Sequence, residues 1–164
     1  MLSLDFISDV IDAEGNGNLL PNHLPAYTST LEDKGATHIF ILTDMDDDKC
    51  ITETKNRIEA PIGHIVIVSI KKVESWLLAD TDAMSSYLRM PDYYIEFPES
   101  VNDPYEEIKG IRMKQINRGT ISKTTLANAI VSNHHFSFRR AASHPNCNSA
   151  RYFAEKLKSL SAIK

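Results

Sequence analysis

Four acids close an apolar run in this chain: Ile39-Phe40-Ile41-Leu42-Thr43 leads straight into Asp44-Met45-Asp46-Asp47-Asp48. Carboxylates this close raise one another's pKa unless a positive charge shares the site. A hard divalent cation is a natural partner, because Mg²⁺ is held by one or two carboxylates and keeps several of its waters. The run before the acids is short and apolar, the pattern of a buried strand. Ligands of open parallel sheets bind just past the carboxyl ends of the strands. Asp44 and Asp46 are therefore the leading candidate metal ligands, with Asp48 a further one. The competing reading makes Asp47 or Asp48 the cap of a following helix. That accounts for one or two of the acids and leaves Asp44 and Asp46 unexplained.

Glu74 and Asp80 form a second constellation. Glu74 lies thirty residues after Asp44 and four past a second apolar run, Ile65-Val66-Ile67-Val68-Ser69-Ile70. If the two runs are neighbouring parallel strands, Asp44 and Glu74 reach the same sheet edge. Read structurally, Glu74 is a first-turn helix acid contributing at most about 1 kcal/mol. Trp76, Leu77 and Leu78 read as core.

Three other chemistries are disfavoured. A calcium loop counted from Asp44 has Lys49 at its sixth position and Lys55 at its twelfth, where glycine and glutamate belong. A phosphoaspartyl enzyme with Asp44 as nucleophile needs a late acidic pair for Mg²⁺, and beyond Glu107 the only acid is Glu155. His134, His135, His144 and Cys147 can bind zinc by type, but their spacing matches no common structural pattern. Residues 133–140, Asn-His-His-Phe-Ser-Phe-Arg-Arg, interleave aromatics with arginine, which suits stacking on bases and contact with phosphates. The same pattern also suits burying a helix edge.

The elements that must carry these residues follow from periodicity and turn signals. Residues 1–15 read as a short helix or frayed strand ending in the turn Gly15-Asn16-Gly17-Asn18. Helices are expected over 21–34, with Gly35 terminating it, and over 48–59, 73–80, 82–90, 124–132 and 148–160. Strands are expected over 37–43 and 65–70, with one more over 93–97. Strand, helix, strand within about 35 residues is a parallel βαβ unit. Two strands make a poor sheet, so a further strand is expected from the amino terminus, from 93–97 or from another chain.

At 164 residues, 42% hydrophobic and 24% charged, the chain has the composition of one soluble domain. No apolar run reaches the length of a membrane span, and the start lacks the features of a signal peptide. Two cysteines, Cys50 and Cys147, fit a reducing cytoplasm better than a disulfide framework. Charge is distributed unevenly: residues 1–108 carry 21 acids and 7 bases, whereas 109–164 carry 11 bases and one acid. Either the basic third meets a polyanion such as nucleic acid, or it folds back on the acidic front.

Asp44-Met45-Asp46 closing a strand, followed one βα unit later by Glu74-Ser75-Trp76-Leu77-Leu78-Ala79-Asp80 and then by Ser137-Phe138 before the last helix, resembles a known pattern. It is similar to a Toprim-like family of mostly uncharacterised bacterial proteins, related to nucleases of the overcoming-lysogenization-defect type and often associated with phage defence. The resemblance spans about residues 35–160, and the two motifs together make it moderately specific. It implies an α/β fold with a short, mainly parallel sheet flanked by helices, residues 1–108 forming the acidic core and 109–164 a basic, mainly helical segment packed on it. It also implies metal-dependent phosphodiester hydrolysis on nucleic acid. Asp44, Asp46 and Glu74 are then catalytic, and Asp44, Asp46, Asp48, Glu74 and Asp80 hold Mg²⁺ or Mn²⁺. Lys114, Lys123, Arg139 and Arg140 neutralise backbone phosphates. One departure stands out. Toprim domains open on a strand ending in Glu-Gly, and Glu14-Gly15 is the only such pair, preceded by a poor strand sequence. The first strand is thus either missing or divergent. The alternative is a catalytically incomplete Toprim-like subunit that binds or regulates a protein partner in a defence complex.

Overall fold

The structure, a computed structural model, describes residues 4–7, 10–117 and 122–161. Those residues form eight α-helices, two short 3₁₀ turns and a two-stranded parallel sheet. Helix α1 (Leu24–Asp33) carries Pro25 in its first turn, where a missing N–H costs nothing. It ends where Gly35, at φ 90°, turns back so that its N–H and that of Ala36 reach Glu32 and Leu31 carbonyls. Strand β1 (Phe40–Asp44), helix α2 (Ile51–Ile58) and strand β2 (Ile65–Ser69) then make the βαβ unit. The register pairs Phe40 with Ile65 and Asp44 with Ser69.

Alternation along the strands sends side chains to opposite faces of the sheet. Ile41, Val66 and Val68 pack with Leu24 of α1 and Ile58 of α2 on one face. Ile67 faces the other way, toward Trp76 and Ala79 of α3 (Glu74–Ala79), Ala141 of α7 (Phe138–Ser143) and Ala150 of α8 (Asn148–Ser161). A third cluster joins α3 to α4 (Thr81–Leu88), α5 (Pro104–Ile116) and α6 (Lys123–Asn133) through Leu78, Met84, Leu88, Ile108 and Ile130. Among the described residues no helix is long and apolar enough to cross a membrane.

Three expectations are corrected. Residues 93–97 are not a strand: Tyr93 is buried and Tyr94 exposed, but side chains rather than a neighbouring strand satisfy the backbone. The Ile95 carbonyl lies 3.0 Å from His144 Nε2, and the Glu96 carbonyl accepts from Asn146 Nδ2 at 2.8 Å. The described residues before Asn16 form neither helix nor strand, while positions 1–3 and 8–9 of that expectation lie outside the described residues. Helix α2 begins at Ile51 with Cys50 as its cap position, so neither Asp47 nor Asp48 caps it.

Candidate acidic site at the carboxyl edge of the sheet

Asp44 is the last residue of β1, and its side chain is bound to the end of β2. Ser69 Oγ donates to Asp44 Oδ1 at 2.6 Å, and the Val73 backbone N–H donates to the same oxygen at 2.8 Å. Oδ2 accepts no hydrogen bond among the described residues. Burial pushes the Asp44 carboxyl above the ordinary aspartate range; the Ser69 and Val73 bonds oppose that shift, and the charges of Glu74 and Asp46 add to it. Three carboxylates are thus within electrostatic reach of one another.

Asp46 sits in the turn after β1 with φ 49°, a left-handed conformation that aspartate tolerates better than most residues. Its N–H donates to the Lys71 carbonyl at 3.0 Å, and Lys71 itself has φ 60°. Two adjoining loops therefore hold non-glycine residues in left-handed backbone, the kind of strain that gathers at binding sites. Asn16 Nδ2 donates to Asp46 Oδ2, and Thr43 Oγ1 donates to Asn16 Oδ1 at 2.8 Å. Those bonds tie the turn that follows Glu14-Gly15 to the carboxyl edge of the sheet, although no strand precedes it among the described residues.

Glu74 occupies the first turn of α3 beside Val73, with Lys123 Nζ 3.3 Å from its carboxylate. Lys72, next in the same loop, is ion-paired to Asp103 at 2.8 Å and feels the charges of Glu74 and Asp46 as well. Asp103 in turn caps α5 through Glu106 N–H. Asp48 turns away from its neighbours to Arg57, whose Nη2 lies 2.9 Å from its Oδ2 and holds the carboxyl below the ordinary range.

Asp80 serves the framework. It is completely buried, caps α4 through Ala83 N–H, accepts from Ser137 N–H at 2.6 Å, and meets the guanidinium of Arg140 at 2.6 and 2.9 Å. All its oxygens are occupied by donors from its own chain. Arg140 is occupied by the same bond and lies 3.4 Å from Asp82 as well. Of the four cations assigned to phosphates, Lys123 and Arg140 are paired with acids of the front, so part of the charge asymmetry is neutralised internally. Lys114 and Arg139 are exposed and make no ion pair among the described residues.

The aromatics of 133–140 are not a stacking platform. Phe136 packs on two of the core clusters, and Phe138 lies 5.5 Å from Trp76 and 5.2 Å from Phe153, ring centre to ring centre. His134 Nδ1 is 2.7 Å from Ser86 Oγ, and His144 bonds the Ile95 carbonyl, so the histidines do not converge.

Glu99 carries a role that sequence reading missed. It is buried, and its carboxylate accepts from Asn148 N–H and Ser149 N–H, both at 2.8 Å, and from Ser149 Oγ. Trp76 Nε1 donates to that same hydroxyl at 2.7 Å. A carboxylate at the first turn of α8 satisfies its orphan N–H groups and complements its dipole. The network pins α8, and with it Phe153 against Phe40 at 5.3 Å, to the sheet.

Among the described residues no group of three or more His, Cys, Asp or Glu is arranged to enclose a metal ion. The donor set fits a lesser demand. Asp44 Oδ2 and Asp46 Oδ1 accept no hydrogen bond among the described residues, and two carboxylates suffice for a Mg²⁺ that keeps its waters. Compared with known proteins, the chain matches no family model, no curated protein and no solved structure.

Proposed function

We propose that this chain is a Toprim-like module that holds Mg²⁺ or Mn²⁺ at Asp44 and Asp46 and hydrolyses a phosphodiester bond of nucleic acid. One observation carries the reading: Asp44 ends a strand with its ionisation opposed chiefly by burial and further by the charges of Glu74 and Asp46. A cation is the group that relieves such crowding. When bound, the ion polarises the phosphate and lowers the pKa of a bound water. Asp44 is oriented by Ser69 and Val73, and Asp46 by Asn16, so both are positioned before any ligand arrives. Glu74, whose charge acts on Asp44, takes the proton of the attacking water. Lys114 and Arg139, exposed on the basic last third, contact backbone phosphates, which makes binding fall steeply with salt. The proposed setting is a cytoplasmic phage-defence system, in keeping with two free cysteines.

A second reading has its own support. Asp48, Glu74 and Asp80 are each matched by a cation, Arg57, Lys123 and Arg140. On that reading the site is incomplete and the chain acts as a binding or regulatory subunit of a defence complex. Cleavage assays on duplex DNA, single-stranded DNA and RNA with Mg²⁺ or Mn²⁺ separate the two. The enzyme reading expects cleavage that EDTA and Asp44→Asn/Asp46→Asn both abolish. Absence of cleavage on all three, or cleavage the double variant retains, rejects it.

A further inference from the structure

At the opposite end of the sheet from the acids lies a cleft of about 530 Å³, open beside the first residue of β2. Four residue steps along β2 separate Ile65 from Ser69, which puts the two ends about 13 Å apart at the usual rise of a strand. The cleft is lined by Lys55 and Asn56 of α2, Tyr152 and Lys156 of α8, His64 and Glu59. Lys55 Nζ is 3.4 Å from the Tyr152 hydroxyl and 4.9 Å from the centre of its ring, and Lys156 Nζ is 5.3 Å from that centre. Neither ammonium has a carboxylate partner among the described residues. Glu59 is exposed and offsets one of the two charges.

His64 lines this cleft and also, with Glu32, a second and smaller one. Its side chain is only 10% exposed, yet neither ring nitrogen has a hydrogen-bond partner. The nearest carboxylate oxygen, Glu32 Oε1, lies 3.8 Å from Nε2, beyond hydrogen-bond reach. Both nitrogens are shielded and Nε2 lies toward Glu32, so His64 forms part of the wall of the cleft and donates nothing into it. Two ammoniums without carboxylate partners, the Tyr152 hydroxyl and the Asn56 amide, lining one cleft, make a donor set for a compact, doubly charged oxyanion. Lysine recognises phosphate as a point charge, and the volume falls in the range of sites for small ligands.

We propose that this cleft binds the phosphate group of a nucleotide-sized phosphomonoester, at a site separate from the acidic edge and independent of the metal chemistry proposed there. The test is an amide ¹H–¹⁵N titration of the full chain with inorganic phosphate, with adenosine monophosphate and with adenosine, ionic strength held constant with NaCl. Phosphate and the monophosphate are expected to produce saturable shifts at Asn56, Ile65 and Tyr152, and adenosine none. Lys55→Gln/Lys156→Gln, at positions that are not fully buried, is expected to weaken binding by at least about tenfold while the remaining amide spectrum shows the fold intact. Shifts that do not saturate, that NaCl alone reproduces, or that persist unchanged in the lysine variant overturn the proposal.

Discussion

Arg140 and Asp80 meet through two parallel bonds of 2.6 and 2.9 Å across sixty residues of sequence, with the carboxylate completely buried at the α3–α4 junction. Two acceptor oxygens matched to a guanidinium fork give a strong and geometrically specific pair. The pair fixes α7 to α3, and thereby one wall of the core behind the sheet. It also removes both residues from the roles of metal ligand and phosphate contact.

Arg140→Ala leaves a buried carboxylate with no cation. The expected loss is about 3 kcal/mol, read by urea unfolding. Arg140→Lys is expected to recover only part of it, because an ammonium lacks the planar fork. A loss below about 1 kcal/mol in the alanine variant contradicts the structural role.

Asp44→Asn keeps an oxygen to accept from Ser69 and Val73 and removes the crowded charge. The folded-state pKa of Asp44 is raised above its usual 3.8. Between those two values the native state binds more protons than the unfolded chain, so stability falls as pH rises through the window. Without metal, the variant should melt higher than the parent at pH 7. That advantage should shrink as pH falls toward 3.8 and vanish below it. An equal or lower melting temperature at pH 7 counts against the burial and charge crowding that together oppose this carboxylate.

Lys123→Gln frees Glu74 from its cation at 3.3 Å. Lys123 is half exposed, and such pairs contribute under about 1 kcal/mol, so stability should barely change. The acidic edge gains negative charge, and Mg²⁺ binding should tighten by about threefold. Unchanged or weaker metal binding would separate Glu74 from the proposed site.

The thiols should differ sharply in reactivity. Cys50 is exposed, whereas Cys147 is fully buried beside Glu99 and its thiol is pushed up to about 12, chiefly by burial. At pH 8 a thiol reagent should modify one cysteine quickly and the second only after denaturation. Rapid double labelling of the native chain would place Cys147 outside the core.

The parts of this fold legible in sequence are those with local signals. Two β-branched apolar runs became β1 and β2, and Gly35 ended α1, because burial pattern and backbone freedom act within a few residues. Residues 93–97 also alternate, but alternation reports half-burial and says nothing of whether a partner strand exists. Asp80 and Glu99 were not legible as framework acids because their partners lie 60 and about 50 residues away. Residue types suggested a phosphate-binding surface in the basic third. Side-chain pairing across the chain decided that Lys123 and Arg140 face acids instead.

The most direct test of the central claim is a calorimetric titration of Mg²⁺ and Mn²⁺ into this chain and into Asp44→Asn/Asp46→Asn. Saturable binding to the parent that the double variant loses is the predicted result. Absence of binding at millimolar metal, or equal binding by both proteins, would contradict a metal site at the acidic edge.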